Sequence, residues 1–283
     1  MSEANAGTGE ANDGTGAAHA GTGEAHVRMS VRKLSEGTLL KIALRANLLQ
    51  ATWNFERQQG VGWAYALQPA LEVLYRDPAE RRARLAEHTA YFNTQPTLAS
   101  LALGAAAKLE EARAEGTGPD AAGMARVKAA LGSTLAALGD RLFWFSLRPF
   151  AAALAVLIAL RSPQSPWGAI VLVGTYASVH MGLRLFGVSW GYAAGPGVLS
   201  GTLRARLERL VTVLAYAGCV VLGVLVAYTL APGGEIRPIA VQSCLAGGLG
   251  LGLVSAQRAR PSPTQWALGI GALVILAAWM RRG

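Results

Sequence analysis

Leu210–Ala231 is a run of 22 residues without a charged side chain. A helix needs about 20 apolar residues to cross the hydrocarbon core of a bilayer, so this run reads as a membrane span. Four more apolar runs share the second half of the chain. Leu142–Leu160 is interrupted by Arg148-Pro149, and Trp167–Val188 carries His180 and Arg184. Pro238–Ser255 is glycine-rich and reads as a short span or a re-entrant piece; Thr264–Met280 ends in Arg281-Arg282. The mean hydropathy of +0.31 exceeds that of an ordinary soluble domain. The expected fold is an all-α integral membrane protein. About four or five apolar helices fill its C-terminal half, with amphipathic and re-entrant helices in its N-terminal half.

Charge divides the chain in the same way. Residues 1–142 hold fifteen Lys/Arg and fifteen Asp/Glu, whereas residues 143–283 hold eleven arginines against Glu208 and Glu235. The whole net charge of +9 therefore lies in the apolar half. A nucleic-acid partner is not expected, because it needs a basic face on a soluble fold. Arginine between apolar runs reads as membrane flanking under the positive-inside bias. The clusters at 204–209 and 258–260 place those loops and the N-terminus on the cytoplasmic side and the C-terminus outside. Cys219 and Cys244 both lie in apolar runs, so neither a disulfide framework nor a metal site is expected. Residues 1–27 are small and polar and show no signal peptide.

Three parts are expected: a disordered tail over 1–29, an amphipathic and re-entrant helical part over 30–141, and a transmembrane part over 142–283. The tail repeats AGTGEA and is too poor in apolar surface to fold. Residues 30–75 read as helical with breaks near Gly60–Gly62 and Pro69. Residues 78–92 read as a charged amphipathic helix that stops at Asn93-Thr94-Gln95-Pro96. Helices over 97–114 and 124–139 flank the loop Gly116–Gly123.

Arg45–Pro69 joins amides and charges to large apolar groups. Read as a helix at about 100° per residue, Asn47, Gln50, Asn54, Arg57 and Gln58 form one stripe, flanked by Leu48, Trp53 and Phe55. Amides both donate and accept hydrogen bonds, which suits a polyhydroxylated ligand or a partner subunit.

WNFERQQG (Trp53–Gly60), YFNTQP (Tyr91–Pro96), LEEARAEG (Leu109–Gly116) and LAALGDRLFWFSLRP (Leu135–Pro149) follow one another in order, with GVSWGYAAG (Gly187–Gly195) as a looser fifth motif. Together they resemble subunit IID of the mannose/fructose/sorbose family of phosphotransferase permeases. The resemblance implies an inner-membrane, multi-pass subunit that pairs with IIC in a trimer of heterodimers. IIA and IIB would relay phosphate from phosphoenolpyruvate to a hexose. This chain would then carry no phosphohistidine, no catalytic residue and no cofactor, and would dock IIB on the cytoplasmic side. The family's usual Met-Gly-Pro-Leu-Ala-Gly-x-Gly-Asp run stands here as Gly132-Ser133-Thr134-Leu135-Ala136-Ala137-Leu138-Gly139-Asp140. A hairpin tip built on Gly-Pro would lose its preset turn. Either Gly132 takes over, or transport is altered and the chain is a non-transporting scaffold or regulator.

Candidate substrate ligands are Asn93, Gln95, Glu110 and Asn54. For Asn93 the alternative is a helix cap. Glu110 and Glu111 point about 100° apart, so one is expected to bind sugar or partner and the other to pair with Lys108 or Arg113 in solvent. Candidate interface or core residues are Trp53, Glu56, Gln58, Asp140 and Arg148. Asp140 fits a helix N-cap. Arg148 either finds an acceptor inside the protein or snorkels to the interface. His88 reads as solvated, and His180 and Arg184, at i and i+4, are expected to face protein. Gly132, Ala136 and Gly139 form a small-residue edge for close packing.

Overall fold

The computed structural model describes residues 33–230. The tail, the runs Pro238–Ser255 and Thr264–Met280, Cys244, and the arginines beyond 230 lie outside the described residues. The described chain forms eight α-helices: α1 (Glu36–Ala46), α2 (Gly60–Leu74), α3 (Pro78–His88), α4 (Ala99–Ala114), α5 (Ala121–Asp140), α6 (Arg148–Arg161), α7 (Trp167–Ala194) and α8 (Thr202–Leu230). A π-helical segment, Arg141–Leu147, joins α5 to α6, and a 3-10 turn, Gly195–Leu199, follows α7.

α1 begins where Ser35 Oγ accepts a hydrogen bond from the Thr38 amide at 3.2 Å. It ends at Asn47, whose side-chain Nδ2 donates to the Ala43 and Leu44 carbonyls. Residues 47–59 are turns and bridges, so the expected amide stripe does not exist as a helix face. The cause is local. Asn47 closes α1, Asn54 Oδ1 takes the Arg57 amide at 2.8 Å, and Gln58 adopts a φ of 53°. Short polar side chains that bond their own backbone compete with helix.

The expected break at Pro69 is also absent, because α2 runs through it. A proline inside a helix frees the carbonyl four residues before it. Here that carbonyl, of Tyr65, accepts from Arg45 Nη1 at 3.2 Å. The same guanidinium bonds Gln68 Oε1 and lies 4.8 Å from the Tyr65 ring centre. Gly60 opens α2 instead of breaking it.

α4 is the axis of the fold. Its Leu- and Ala-rich sequence favours helix, and it is buried along nearly its whole length from Ala99 to Ala107. It crosses α7 closely: a Cβ on Gly104 would stand 2.0 Å from the Val188 carbonyl, and one on Gly191 2.0 Å from the Leu101 carbonyl. Trp63, Phe92, Leu98, Leu101 and Leu135 join α2, α4 and α5 in one core.

α5, the π segment and α6 form one continuous helix of 41 residues, Ala121–Arg161, about 60 Å long at 1.5 Å per residue. It passes without interruption from the N-terminal to the apolar part. The run Gly132–Asp140 is helical throughout, so no hairpin tip stands there and Asp140 does not begin a helix. The small-residue edge holds, but it receives a loop: a Cβ on Gly132 would meet the Asn93 carbonyl at 3.0 Å, and one on Gly139 the Gln95 side chain at 2.4 Å. This long helix, Trp167–Leu199 and Thr202–Val226 are each long and apolar enough to cross a membrane.

Candidate functional site

The loop after α3 carries Asn93 and Gln95, and three contacts fix it. The buried Gln59 side chain pairs with the Thr94 backbone, Nε2 donating to its carbonyl at 2.8 Å and Oε1 accepting from its amide at 3.0 Å. Thr94 Oγ1 donates to the Gly132 carbonyl at 2.9 Å. Gln95 Oε1 accepts from the Thr97 and Leu98 amides at 2.7 and 3.0 Å and so fixes the turn that leads into α4. Asn93 caps neither neighbouring helix, since α3 closes at Thr89 and α4 opens at Leu98 without a side-chain cap; Asn93 is exposed.

This loop forms one wall of a cleft of about 450 Å³. Gln50 lines it from the turn after α1, Asp140 from the end of α5, Trp144 from the π segment, and His180 and Arg184 from α7. The π segment is held open where Ser146 Oγ donates to the Arg141 carbonyl, five residues back, at 2.9 Å. π segments recur at functional sites because they re-aim side chains without breaking the helix.

His180 Nδ1 lies 3.0 Å from Thr97 Oγ1, and its ring stacks on Tyr176 at 5.7 Å. Arg184 Nη1 donates to Asn47 Oδ1 at 3.1 Å, while its buried Nε has no partner. Among the described residues no carboxylate lies within ion-pair distance of Arg184, although Asp140 lines the same cleft. The cleft therefore offers an acceptor carboxylate, a donor guanidinium, three side-chain amides (Gln50, Asn93 and Gln95) and the half-exposed Trp144 face. Such a set matches a ligand with several hydroxyls and an apolar ring face.

Asn93 and Gln95, expected as ligands, thus come together with Asp140, expected at an interface or in the core, while Asn54 and Glu110 lie elsewhere. Asn54 sits in a tight turn with Glu56 and Gln58, away from the cleft lining. Trp53 and Phe55 stand beside it, 42% and 88% exposed, with ring centres 5.1 Å apart. Arg148 lies over Trp144, 4.8 Å from its ring centre, and so tethers a wall residue. Sequence reasoning did not name Thr97 or Trp144. The i, i+4 spacing of Trp144 from Asp140 is the signal that could have found it.

Glu110 is fully buried in a separate cluster. Tyr75 Oη donates to it at 2.7 Å, His88 Nε2 lies 3.1 Å away, and Arg113 Nη1 donates at 2.6 Å. Burial opposes its ionisation, but the hydrogen bonds from His88, Tyr75 and Arg113 outweigh that cost and hold its carboxyl down to about 2. His88, expected in solvent, is completely buried. Burial is the main cause that lowers its pKa. Trp63 Nε1 donates to His88 Nδ1 at 3.2 Å, so the neutral ring carries its proton on Nε2 and donates to Glu110. Glu111 is not in solvent either. It takes Lys108 Nζ at 2.6 Å, the Tyr192 hydroxyl, and the Leu34 amide at 3.1 Å. Through these contacts the two carboxylates join the end of α2, α3 and α7 to α4.

The family model for the PTS system mannose/fructose/sorbose family IID component matches residues 33–232. The chain is 34% identical over 198 residues to the sorbose-specific EIID component of Klebsiella pneumoniae, covering 70% of this chain and 72% of that protein. It is 34% identical over 196 residues to the mannose-specific EIID component of Escherichia coli K12, covering 69% of each. The fructose permease IID component of Bacillus subtilis is 29% identical over 89% of each chain. Among solved structures, the mannose transporter ManYZ in complex with microcin E492 contains a similar chain, with TM-score 0.54 and 28% identity over 89% of this chain and 98% of that one. A second membrane protein matches with TM-score 0.62 and 27% identity over 88% of this chain and 98% of that one. With the motif order, the continuous helices and these matches, the chain belongs to the mannose/fructose/sorbose family of phosphotransferase-system IID components, and is a membrane permease subunit.

Proposed function

We propose that this subunit lines a hexose pathway together with a IIC partner, in an inner-membrane complex whose IIA and IIB proteins phosphorylate the sugar. The cleft of Gln50, Asn93, Gln95, Asp140, Trp144, His180 and Arg184 is the observation that carries this reading. A transported sugar must be held by several weak hydrogen bonds, so that it can leave again. Asp140 accepts from a hydroxyl, Arg184 donates through its guanidinium, and the Gln50 and Asn93 amides do both. Trp144 faces the ring carbons. Transport is alternating access between this cleft and IIC, and phosphorylation on the IIB side traps the product. The chain itself performs no phosphoryl transfer, and the complex is a trimer of IIC–IID heterodimers.

The exposed pair Trp53 and Phe55, beside Glu56 and Arg57, fits the IIC interface, since aromatic residues anchor interfaces. The N-terminus faces the cytoplasm, as the arginines at 204–209 favour.

The test is co-expression of the full chain with its native IIC, IIA and IIB in cells lacking other IID subunits. Phosphoenolpyruvate-dependent uptake of labelled hexoses above the background without this chain supports the reading. Capture of IIC without uptake would favour a non-transporting scaffold.

A further inference from the structure

We propose that the groove between α7 and α8 binds one anionic phospholipid, with an acyl chain along the groove and its phosphate on Arg206. The inference rests on the membrane setting of these helices and not on the sugar pathway.

α7 and α8 are consecutive in the chain, reversed at Gly195, whose φ of 53° suits a residue without a side chain. Both pack on α6, yet they diverge from each other. The wedge between them has a volume of about 650 Å³. Its walls are apolar, with Val179, Leu183, Leu207 and Leu210 among them. From Ala194 to Ser178 it follows α7 for about 24 Å, more than the ~15 Å of one leaflet's hydrocarbon. Gly182 lies in the groove, and a Cβ there would meet nothing within 4 Å. An apolar wedge of this depth, opening beside two membrane helices, is filled by something equally apolar.

Charge selects the occupant. Arg206, exposed, and Trp190, 45% exposed, line the groove near the α7–α8 reversal. Arg204 is committed to Glu208 at 3.0 Å and to the Leu199 carbonyl at 2.8 Å. Among the described residues, Arg206 and Arg209 have no acid within ion-pair distance. A tryptophan lining the same groove as an arginine without an acid partner is the pattern of a headgroup boundary. A phosphate there answers the guanidinium in bidentate fashion, while its acyl chain fills the wedge. An apolar partner helix would fill the wedge but leave Arg206 unanswered.

The full chain, purified in mild detergent and stripped of lipid, is offered equal amounts of phosphatidylglycerol and phosphatidylcholine and examined by native mass spectrometry. Phosphatidylglycerol adducts are expected to exceed phosphatidylcholine adducts by about fivefold, the preference one arginine near a headgroup supplies. R206Q, a change at an exposed side chain, should bring the two lipids level. G182F, which fills the open wall, should reduce both adducts. R161Q, at the far end of α6, should keep the preference. Equal binding of the two lipids by the native chain would overturn the proposal. So would a preference that survives both R206Q and G182F, or a groove in which the assembled complex holds a IIC helix, read as a cysteine cross-link from position 182 to IIC.

Discussion

Trp63 decides which proton His88 carries. Its indole N–H occupies Nδ1, so a second proton on the ring would face another donor across 3.2 Å. The folded state therefore keeps His88 neutral, with a pKa below its ordinary 6.5. Above that pH neither state is protonated. As pH falls through it, the unfolded chain takes up a proton that the folded chain refuses, and stability is lost. Glu110 acts in the same direction at lower pH. Its contribution is complete above the unfolded value of 4.5 and declines as pH falls towards about 2. The melting temperature in detergent is thus expected to fall between about pH 7 and pH 5. H88Q keeps an acceptor for Trp63 and a donor for Glu110 but cannot titrate, so it should flatten that limb. An equal fall in H88Q would show that another group sets the acid limb.

Arg45 and Pro69 couple two helices in a way neither residue's own helix reveals. R45A leaves the Tyr65 carbonyl unanswered and should destabilise by about 1 kcal/mol. P69A supplies the missing N–H from within α2. In the double variant the cost of R45A should therefore shrink, a coupling read from a thermal double-mutant cycle. Additive effects would mean that Arg45 acts only through Gln68 and the Tyr65 ring. The crossing of α4 and α7 allows a sharper test. G104A places a methyl against the Val188 carbonyl and should lower stability by about 1–3 kcal/mol. G174A, where a Cβ meets nothing within 4 Å, should leave it nearly unchanged.

These elements also show what periodicity conveys. The cores of α3 to α8 were legible, because Leu and Ala density, proline stops and charge-free runs are local signals. Residues 47–59 were not, since Asn47, Asn54 and Gln58 spend their polarity on their own backbone, which a wheel projection cannot see. Pro69 escaped because its compensation comes from Arg45, 24 positions away. Gly132–Asp140 read as a turn only through the family's proline; without it, the residues themselves are a helix. In the cleft, Asn93, Gln95 and Asp140 stood out by type and motif. Arg184 and His180 were read only as facing protein, because their convergence on the 93–97 loop is a product of the α4–α7 crossing. Glu110 looked like a ligand for the opposite reason: its three hydrogen-bond partners come from the end of α2, from α3 and from one turn of α4.

At the level of the whole molecule, one N-terminal core built on α4 presents two surfaces. The first is the exposed aromatic turn at Trp53 and Phe55, carried by contacts to Phe92 and clear of the buried clusters. W53A with F55A should weaken capture of IIC by about tenfold, as loss of an aromatic anchor does, while the isolated chain keeps its melting temperature. Retained capture would assign the turn to lipid or solvent. The second surface is the cleft between the 93–97 loop, the π segment and α7, and the claim that sugar passes there is central. Its most direct measurement is phosphoenolpyruvate-dependent hexose uptake by the assembled complex carrying D140N or R184Q, with membrane amount and IIC capture measured on the same cells. If sugar passes there, each variant removes a charged hydrogen bond to it and should cut uptake at limiting hexose by about tenfold or more, at unchanged assembly. Uptake at the native rate in both variants, with assembly intact, would contradict the assignment of the pathway to this cleft.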